Sequence, residues 1–158
     1  MKNENASKLK KILMAILYLG VGIIIGGYLF SETQPRSFLA LNRCDKTCFQ
    51  PQELIGLVNS VIVQKFPSLM PQVVIETDKS IAIKHPFPQS PIHYVVFPKR
   101  DIKNFGQLSD GDQEYLIDTF AVLSQLIKQD NLKEYQITTN GPDYQETTYL
   151  HFHLRAEK

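Results

Sequence analysis

Nineteen consecutive residues, Ile12 to Phe30 (ILMAILYLGVGIIIGGYLF), carry no charge. As a helix at about 1.5 Å rise per residue, such a run reaches roughly 28 Å, close to the hydrocarbon thickness of a bilayer. A helix on a soluble core alternates apolar and polar faces, whereas this run is apolar all round. A transmembrane helix is therefore expected over residues 12–30. A cleaved signal peptide usually has an apolar stretch of about 7–15 residues before a small-residue cleavage site. Here the run is longer and ends on Tyr28-Leu29-Phe30, so an uncleaved signal anchor is expected. Lys2, Lys8, Lys10 and Lys11 precede the run; Arg36, Arg43 and Lys46 follow it. By the positive-inside rule the basic tail, residues 1–11, is cytoplasmic and residues 31–158 lie outside, as in a single-pass membrane protein. Gly22 and Gly26 have the spacing that lets two membrane helices approach, though an apolar helix containing glycine meets it by composition alone.

The whole chain of 158 residues has a net charge of +1. That near-neutrality is a sum of unlike parts. Without the basic tail, 13 positive and 15 negative charges remain. A mildly acidic domain on a basic membrane flank argues against a nucleic-acid partner. The length excludes a barrel of about 250 residues. Two cysteines, Cys44 and Cys48, exclude a disulfide-dense scaffold. They fall in a linker, residues 31–50, and form either a small disulfide loop outside the cytoplasm or half of a zinc site inside it. The outward orientation favours the disulfide.

From residue 51 onward the pattern predicts an α+β domain. Pro51 to Phe66 sets Leu54, Leu57, Val58, Val61 and Ile62 at helical spacing, with Gln52, Glu53, Asn59 and Lys65 on the other side. Pro67 and Pro71 end this helix. Val73–Glu76 and Ile81–Lys84 flank Thr77-Asp-Lys-Ser80 as a hairpin, and Ile92–Phe97 makes a third strand closed by Pro98. Ser109 with Asp112 has the form of a capping box with Asp in place of Glu or Gln. Beyond it Leu116, Phe120, Leu123 and Ile127 make an expected core stripe. Tyr135–Thr139 and Thr148–Arg155 are the fourth and fifth strands, joined through the turn Asn140-Gly-Pro-Asp143. The expectation is a mostly antiparallel five-stranded sheet with helices packed on it.

Four histidines are present: His85, His93, His151 and His153. Alternation along the last strand puts Tyr149, His151 and His153 on one face and Leu150, Phe152 and Leu154 on the other. The apolar row belongs in the core, which leaves the imidazoles on the opposite face within reach of a substrate. Spacing alone leaves three readings. The pair can be ordinary surface histidines. One imidazole can attack an electrophile while the others orient or exchange protons. Or two, with His93 from a neighbouring strand, can hold a borderline metal.

Gln89-Ser-Pro-Ile-His93-Tyr-Val-Val-Phe-Pro-Lys99-Arg100 resembles the first signature of the histidine-triad (HIT) family, a Pro-x-His strand ending in a Pro-Lys turn. Asn140-Gly-Pro-Asp-Tyr-Gln145, followed by Tyr149-Leu-His-Phe-His-Leu154, resembles the second. There an Asn-Gly turn and a Gln precede a strand of alternating histidine and apolar residues. The resemblance covers residues 70–158 of a domain taken as 51–158; the extra amphipathic helix, 51–69, lies outside it. It implies a nucleotide-binding α+β fold, usually a homodimer, with hydrolysis or transfer at the α-phosphate of a nucleotide conjugate. It implies His151 as nucleophile, forming a nucleotidyl-histidine intermediate. It places His153 on the phosphate, His93 beside the triad, and Gln145 and Asn140 at the phosphate or bridging oxygens. Neither a metal nor another cofactor is implied. Membrane-anchored members of the wider superfamily cleave nucleotide-lipid pyrophosphates, which makes such a lipid an alternative substrate.

The chain departs from the pattern at three points. Tyr149 stands at the first triad position, where a phenol of pKa near 10 stays neutral at pH 7. His85 stands where an acidic residue would grip ribose. The turn before Gln145 is one residue short, lacks a Gly there, and is followed by Glu146. These changes leave two expectations in competition: a membrane-tethered hydrolase acting through His151, and a catalytically degenerate binding domain.

Overall fold

In a computed structural model the described residues are 2–39 and 48–157, with side chains described from residue 7 onward. The chain divides into two compact units, residues 1–32 and 33–158. The first is one helix, α1 (Lys2–Phe30), which takes in residues of the basic tail as well as the apolar run. Its segment Ser7–Phe30 is long and apolar enough to cross a membrane.

The second unit is built on a five-stranded antiparallel sheet of β1 (Val73–Glu76), β2 (Ser80–Lys84), β3 (Ile92–Pro98), β4 (Tyr135–Thr138) and β5 (Phe152–Ala156). Its spatial order is β1-β2-β3-β5-β4. The α+β expectation holds. The β3–β5 register sets His93 opposite Arg155 and Val95 opposite His153. The fifth strand starts later than expected. Leu150 N–H bonds out of the sheet to the Ile102 carbonyl at 2.6 Å, so Tyr149–His151 enter the strand without joining its ladder.

Two helices cover the sheet. α3 (Gln113–Gln129) follows a single 3₁₀ turn, Asp110–Asp112, whose start is the predicted capping box. Ser109 N–H and Oγ donate to Asp112 Oδ2 at 2.8 and 2.7 Å. Val122, Leu123 and Leu126 pack on Tyr94, Val96, Phe152 and Leu154, forming the larger core. The α3 stripe is rotated from the expected one. Thr119 takes the buried place and Phe120 is exposed, because Thr119 hydrogen-bonds Ser80 on β2 at 2.9 Å.

α2 (Pro51–Lys65) departs further from its pattern. Gly56, Ser60 and Val63 are its buried residues, while Leu54, Ile55 and Val58 are exposed. Polar bonds position it. Thr148 N–H and Oγ1 both reach the Gln52 carbonyl at 3.2 Å, and Asn59 Nδ2 donates to Thr147 Oγ1 at 3.1 Å. A Cβ at Gly56 would stand 2.3 Å from Thr148 Oγ1, so only glycine admits this approach. The second core, Val63 with Ile81, Ile83, Val95, Phe97 and Tyr149, is correspondingly small.

Segment 33–39 is tied into the sheet domain. Arg36 Nη1 and Nη2 donate to the two Asp101 oxygens at 2.5 and 2.6 Å, both side chains being buried. Arg36 also donates to the Thr148 carbonyl at 2.9 Å, and Gln34 N–H to Asp101 at 2.7 Å. Cys48 is disulfide-bonded, and Cys44 lies outside the described residues.

Candidate functional site

Alternation along β5 and its entry segment places the histidines. Leu150, Phe152 and Leu154 enter the larger core, while His151 and His153 project from the other face. That face is not open, as spacing alone suggested. α2 and the segment through Met70 cover part of it, so His93, His151 and His153 are all buried. Beside them is a cavity of about 560 Å³, within the range of small-ligand pockets. His85, His151, His153, Asn140, Glu146 and Arg155 line it, together with apolar groups such as Ile62, Leu69 and Phe97.

The hydrogen bonds fix each tautomer. His151 Nδ1 lies 2.7 Å from the Tyr149 carbonyl, which can only accept. Nδ1 therefore carries the proton and Nε2 keeps a lone pair. Gln89 N–H donates to His93 Nδ1 at 3.2 Å, so His93 carries its proton on Nε2. That proton is shared with His153 Nδ1 at 2.9 Å, leaving His153 with an Nε2–H. Phe87 N–H donates to His85 Nδ1 at 3.0 Å, so His85 too presents an Nε2–H. The result is one free lone pair, on His151, and N–H donors on its neighbours.

Burial keeps His93, His151 and His153 neutral. Desolvation, with the neighbouring His151 and Arg155, pushes His153 down to about 3. Desolvation, with His85 and Arg155, pushes His93 down to about 4. Desolvation also lowers His151, against the opposing pull of the Tyr149 carbonyl.

His85, His93 and His153 have ring nitrogens within 4.8 Å of one another, a spacing that could suit a metal. The ring geometry does not. His85 and His93 are stacked at 4.2 Å with planes 8° apart. A metal lies in the plane of each imidazole that binds it, and stacked parallel planes share no such point. Both nitrogens of His93 are also already bonded.

Tyr149 and Gln145 do not line the cavity. Tyr149 is fully buried, its hydroxyl donating to the Pro98 and Arg100 carbonyls at 2.7 and 3.1 Å. Burial raises the phenol pKa well above its ordinary value. Gln145 Nε2 donates to the Lys103 carbonyl at 3.2 Å, and its Oε1 is buried with no partner among the described residues. Asn140 Nδ2 closes its own turn onto the Tyr144 carbonyl at 3.2 Å.

Arg155 was not singled out from the sequence. It lies two residues past His153 on the same face of β5, so the alternation that found the histidines reaches it as well. Its Nε is buried without a partner among the described residues, and Nη1 makes one long contact, 3.5 Å, to Thr138 Oγ1.

Residues 60–157 match the family described as scavenger mRNA decapping enzyme C-term binding. A HIT-like protein of Synechococcus elongatus is 30% identical over 101 residues, spanning 62% of this chain and 86% of that protein. A HIT-like protein of Chlamydia pneumoniae is 27% identical over 84 residues, 51% of this chain and 76% of that one. Among solved structures, a HIT family hydrolase from Legionella pneumophila superposes with a TM-score of 0.57 at 26% identity, covering 63% of this chain and 90% of that one. One from Clostridium thermocellum gives 0.56, also at 26% identity, over 63% and 88%.

Proposed function

This chain belongs to the histidine-triad family, and from that premise we propose that it is a membrane-anchored nucleotide hydrolase or transferase with His151 as its nucleophile. The observation that carries the reading is the 2.7 Å contact of His151 Nδ1 with the Tyr149 carbonyl, which turns a neutral Nε2 lone pair toward a cavity. In this reading Nε2 forms a bond to the α-phosphorus of a nucleotide phosphoester, phosphoanhydride or phosphoramidate, and the bond to the leaving group breaks. Water then attacks phosphorus, the P–N bond breaks, and the nucleotide is released. His153 donates its Nε2–H to a phosphoryl oxygen. Arg155 supplies the fixed positive charge that the neutral imidazoles lack. Asn140 borders the phosphate region, and His93 holds the tautomer of His153. Gln145 would need to turn from Lys103 to reach the substrate.

Burial holds His93, His151 and His153 neutral at pH 7, so none of these three can hand a proton to the leaving group. That favours phosphoanhydrides, whose leaving groups are stable anions, over alkyl esters. His85 offers a donor where a carboxylate would accept from both ribose hydroxyls, which predicts weak discrimination of the sugar. α1 anchors the chain, with its N-terminus cytoplasmic and the sheet domain outside. β4, an open sheet edge with exposed Tyr135 and Ile137, is the natural surface for a homodimer.

The second reading is a degenerate domain that binds without turnover. It draws on Tyr149, whose hydroxyl is spent on two backbone carbonyls and offers the reaction nothing. One experiment separates the two. The full chain in detergent is incubated with adenosine phosphoramidate, a dinucleoside polyphosphate and a nucleotide-lipid pyrophosphate, with acid-quenched trapping of labelled protein. Turnover and a trapped adduct, both lost in His151→Ala, are expected. Absence of turnover on all three, or turnover untouched by His151→Ala, overturns the nucleophile. Protease added outside intact cells tests the orientation by digesting the sheet domain.

A further inference from the structure

We propose that the outward apolar stripe of α2 seats the sheet domain on the surface of a lipid bilayer, an inference that rests on α1 being a membrane anchor. The first observation is the inverted seating of the helix. Leu54, Ile55 and Val58 are 39%, 46% and 47% exposed, and they continue along one side through the partly covered Val61 and Ile62. At about 100° per residue, the buried Gly56, Ser60 and Val63 fall on the opposite side. A helix that turns its small and polar side to its own domain and its apolar side outward has the arrangement of a helix lying between protein and lipid.

A second observation extends the surface. Phe38, Leu39 and Phe49 are exposed. Gln50, the residue before α2, donates its N–H to the Phe38 carbonyl at 2.9 Å, and Leu39 pairs with Phe49. Three more apolar side chains are thus gathered at the N-terminal end of the stripe. Phe and Leu are residue types that enter the headgroup–acyl boundary readily.

The choice of occupant comes from the covalent path. α1 ends at Phe30, and Gln34 is already bonded to Asp101 within the sheet domain. At no more than about 3.6 Å per residue, the intervening chain spans roughly 15 Å at most. A bilayer holding α1 is therefore the apolar phase this domain always has within reach. A tether so short gives an effective concentration on the order of millimolar, so a contact too weak for a free domain is occupied. Ile62 belongs both to the stripe and to the cavity wall, and the exposed Leu69 lines the same cavity. Seating the stripe therefore brings the cavity rim to the headgroup layer.

The chain has no tryptophan, which makes the test direct. Val58→Trp and, separately, Ile117→Trp are introduced into the full chain. Ile117 is exposed on α3, which packs on the opposite sheet face. Each protein is reconstituted in phosphatidylcholine vesicles with and without brominated acyl chains. Docking predicts that bromination removes roughly half of the Val58→Trp emission, as insertion to about 5–10 Å requires, and leaves Ile117→Trp unchanged. Leu54→Trp gives a second reporter should the first variant fold poorly. Equal quenching at both positions, or none at either, overturns docking. An unquenched Val58→Trp whose emission shifts with protein density in the membrane overturns it in favour of a second copy. Carbonate flotation separates the two readings. A chain that stays with the vesicles but shows no quenching leaves the anchor standing and removes the docking. A chain that leaves them removes both.

Discussion

The two helices of the sheet domain carry similar-looking stripes and use them in opposite ways. α3 buries its apolar side, Val122, Leu123 and Leu126, against one face of the sheet. α2 meets the other face through Gly56, Ser60, Val63 and a few hydrogen bonds, and leaves Leu54, Ile55 and Val58 outside. The face under α3 is apolar apart from the buried Ser80–Thr119 hydrogen bond. The face beside α2 holds the three buried histidines, the Arg36–Asp101 pair and a cavity. One side of the sheet is thus held mostly by area removed from water, the other by a smaller apolar cluster together with directional polar contacts. The second arrangement leaves room for chemistry and costs hydrophobic stabilisation on that side.

The largest expected effect probes the polar side. Arg36→Ala leaves the Asp101 carboxylate buried without its cation, and orphaning one member of such a pair costs about 3–5 kcal/mol. Chemical unfolding of the full chain in detergent should show that loss. The double change Arg36→Met with Asp101→Leu should recover most of it, because both charges leave together. A loss below about 1 kcal/mol for Arg36→Ala would mean that the pair behaves as a surface salt bridge, and the contrast between the faces would weaken.

Gly56→Ala is next, at about 1–3 kcal/mol for overpacking. The added Cβ meets Thr148 Oγ1 at 2.3 Å and the Thr148 carbonyl at 2.8 Å, so backbone must move. Thr148 leads into Tyr149, whose carbonyl orients His151. Activity should therefore fall along with stability, whereas a core truncation under α3 should lower stability alone. Equal kinetics for Gly56→Ala and wild type would break that link.

The pattern of the sequence reached the elements better than their surroundings. Period-two alternation set His151 and His153 opposite Leu150, Phe152 and Leu154, and the Ser109–Asp112 box marked the approach to α3. Both are local signals. The seating of α2 was not legible, because its stripe states amphipathicity and not which side meets the protein; Gly56 against Thr148 decided that, across 92 positions. The direction of Gln145 depends likewise on the Lys103 carbonyl. Arg155 was within reach of the same alternation that revealed the histidines.

A smaller effect comes from pH. The native His93 and His153 are held at about 4 and about 3, and His151 is also lowered, against roughly 6.5 in an unfolded chain. Above pH 6.5 both states are neutral and the stability is present in full. As pH falls, the unfolded chain takes up protons first, so stability is lost progressively toward pH 4 and then 3. Between pH 7 and 6 the loss should be under about 1 kcal/mol per histidine. Turnover per folded molecule should fall less steeply with pH than for an ordinary imidazole nucleophile, since burial lowers His151. A gain in stability over that interval would contradict neutral burial of these rings.

The smallest expected change is the sharpest test of the comparison. Val58→Ser on α2 should move the unfolding free energy by no more than about 0.5 kcal/mol in detergent, the range of surface substitutions. Leu126→Ala on α3, a residue with no exposed surface, should cost about 2–5 kcal/mol through lost burial and the cavity left behind. If Val58→Ser proved as costly as Leu126→Ala, the stripe of α2 would be serving the fold, and the two helices would be equivalent after all. If it proved silent, five apolar positions on one helix would be held in the chain for a neighbour other than the sheet. A silent Val58→Ser is the outcome that the proposed seating of this stripe on a bilayer requires.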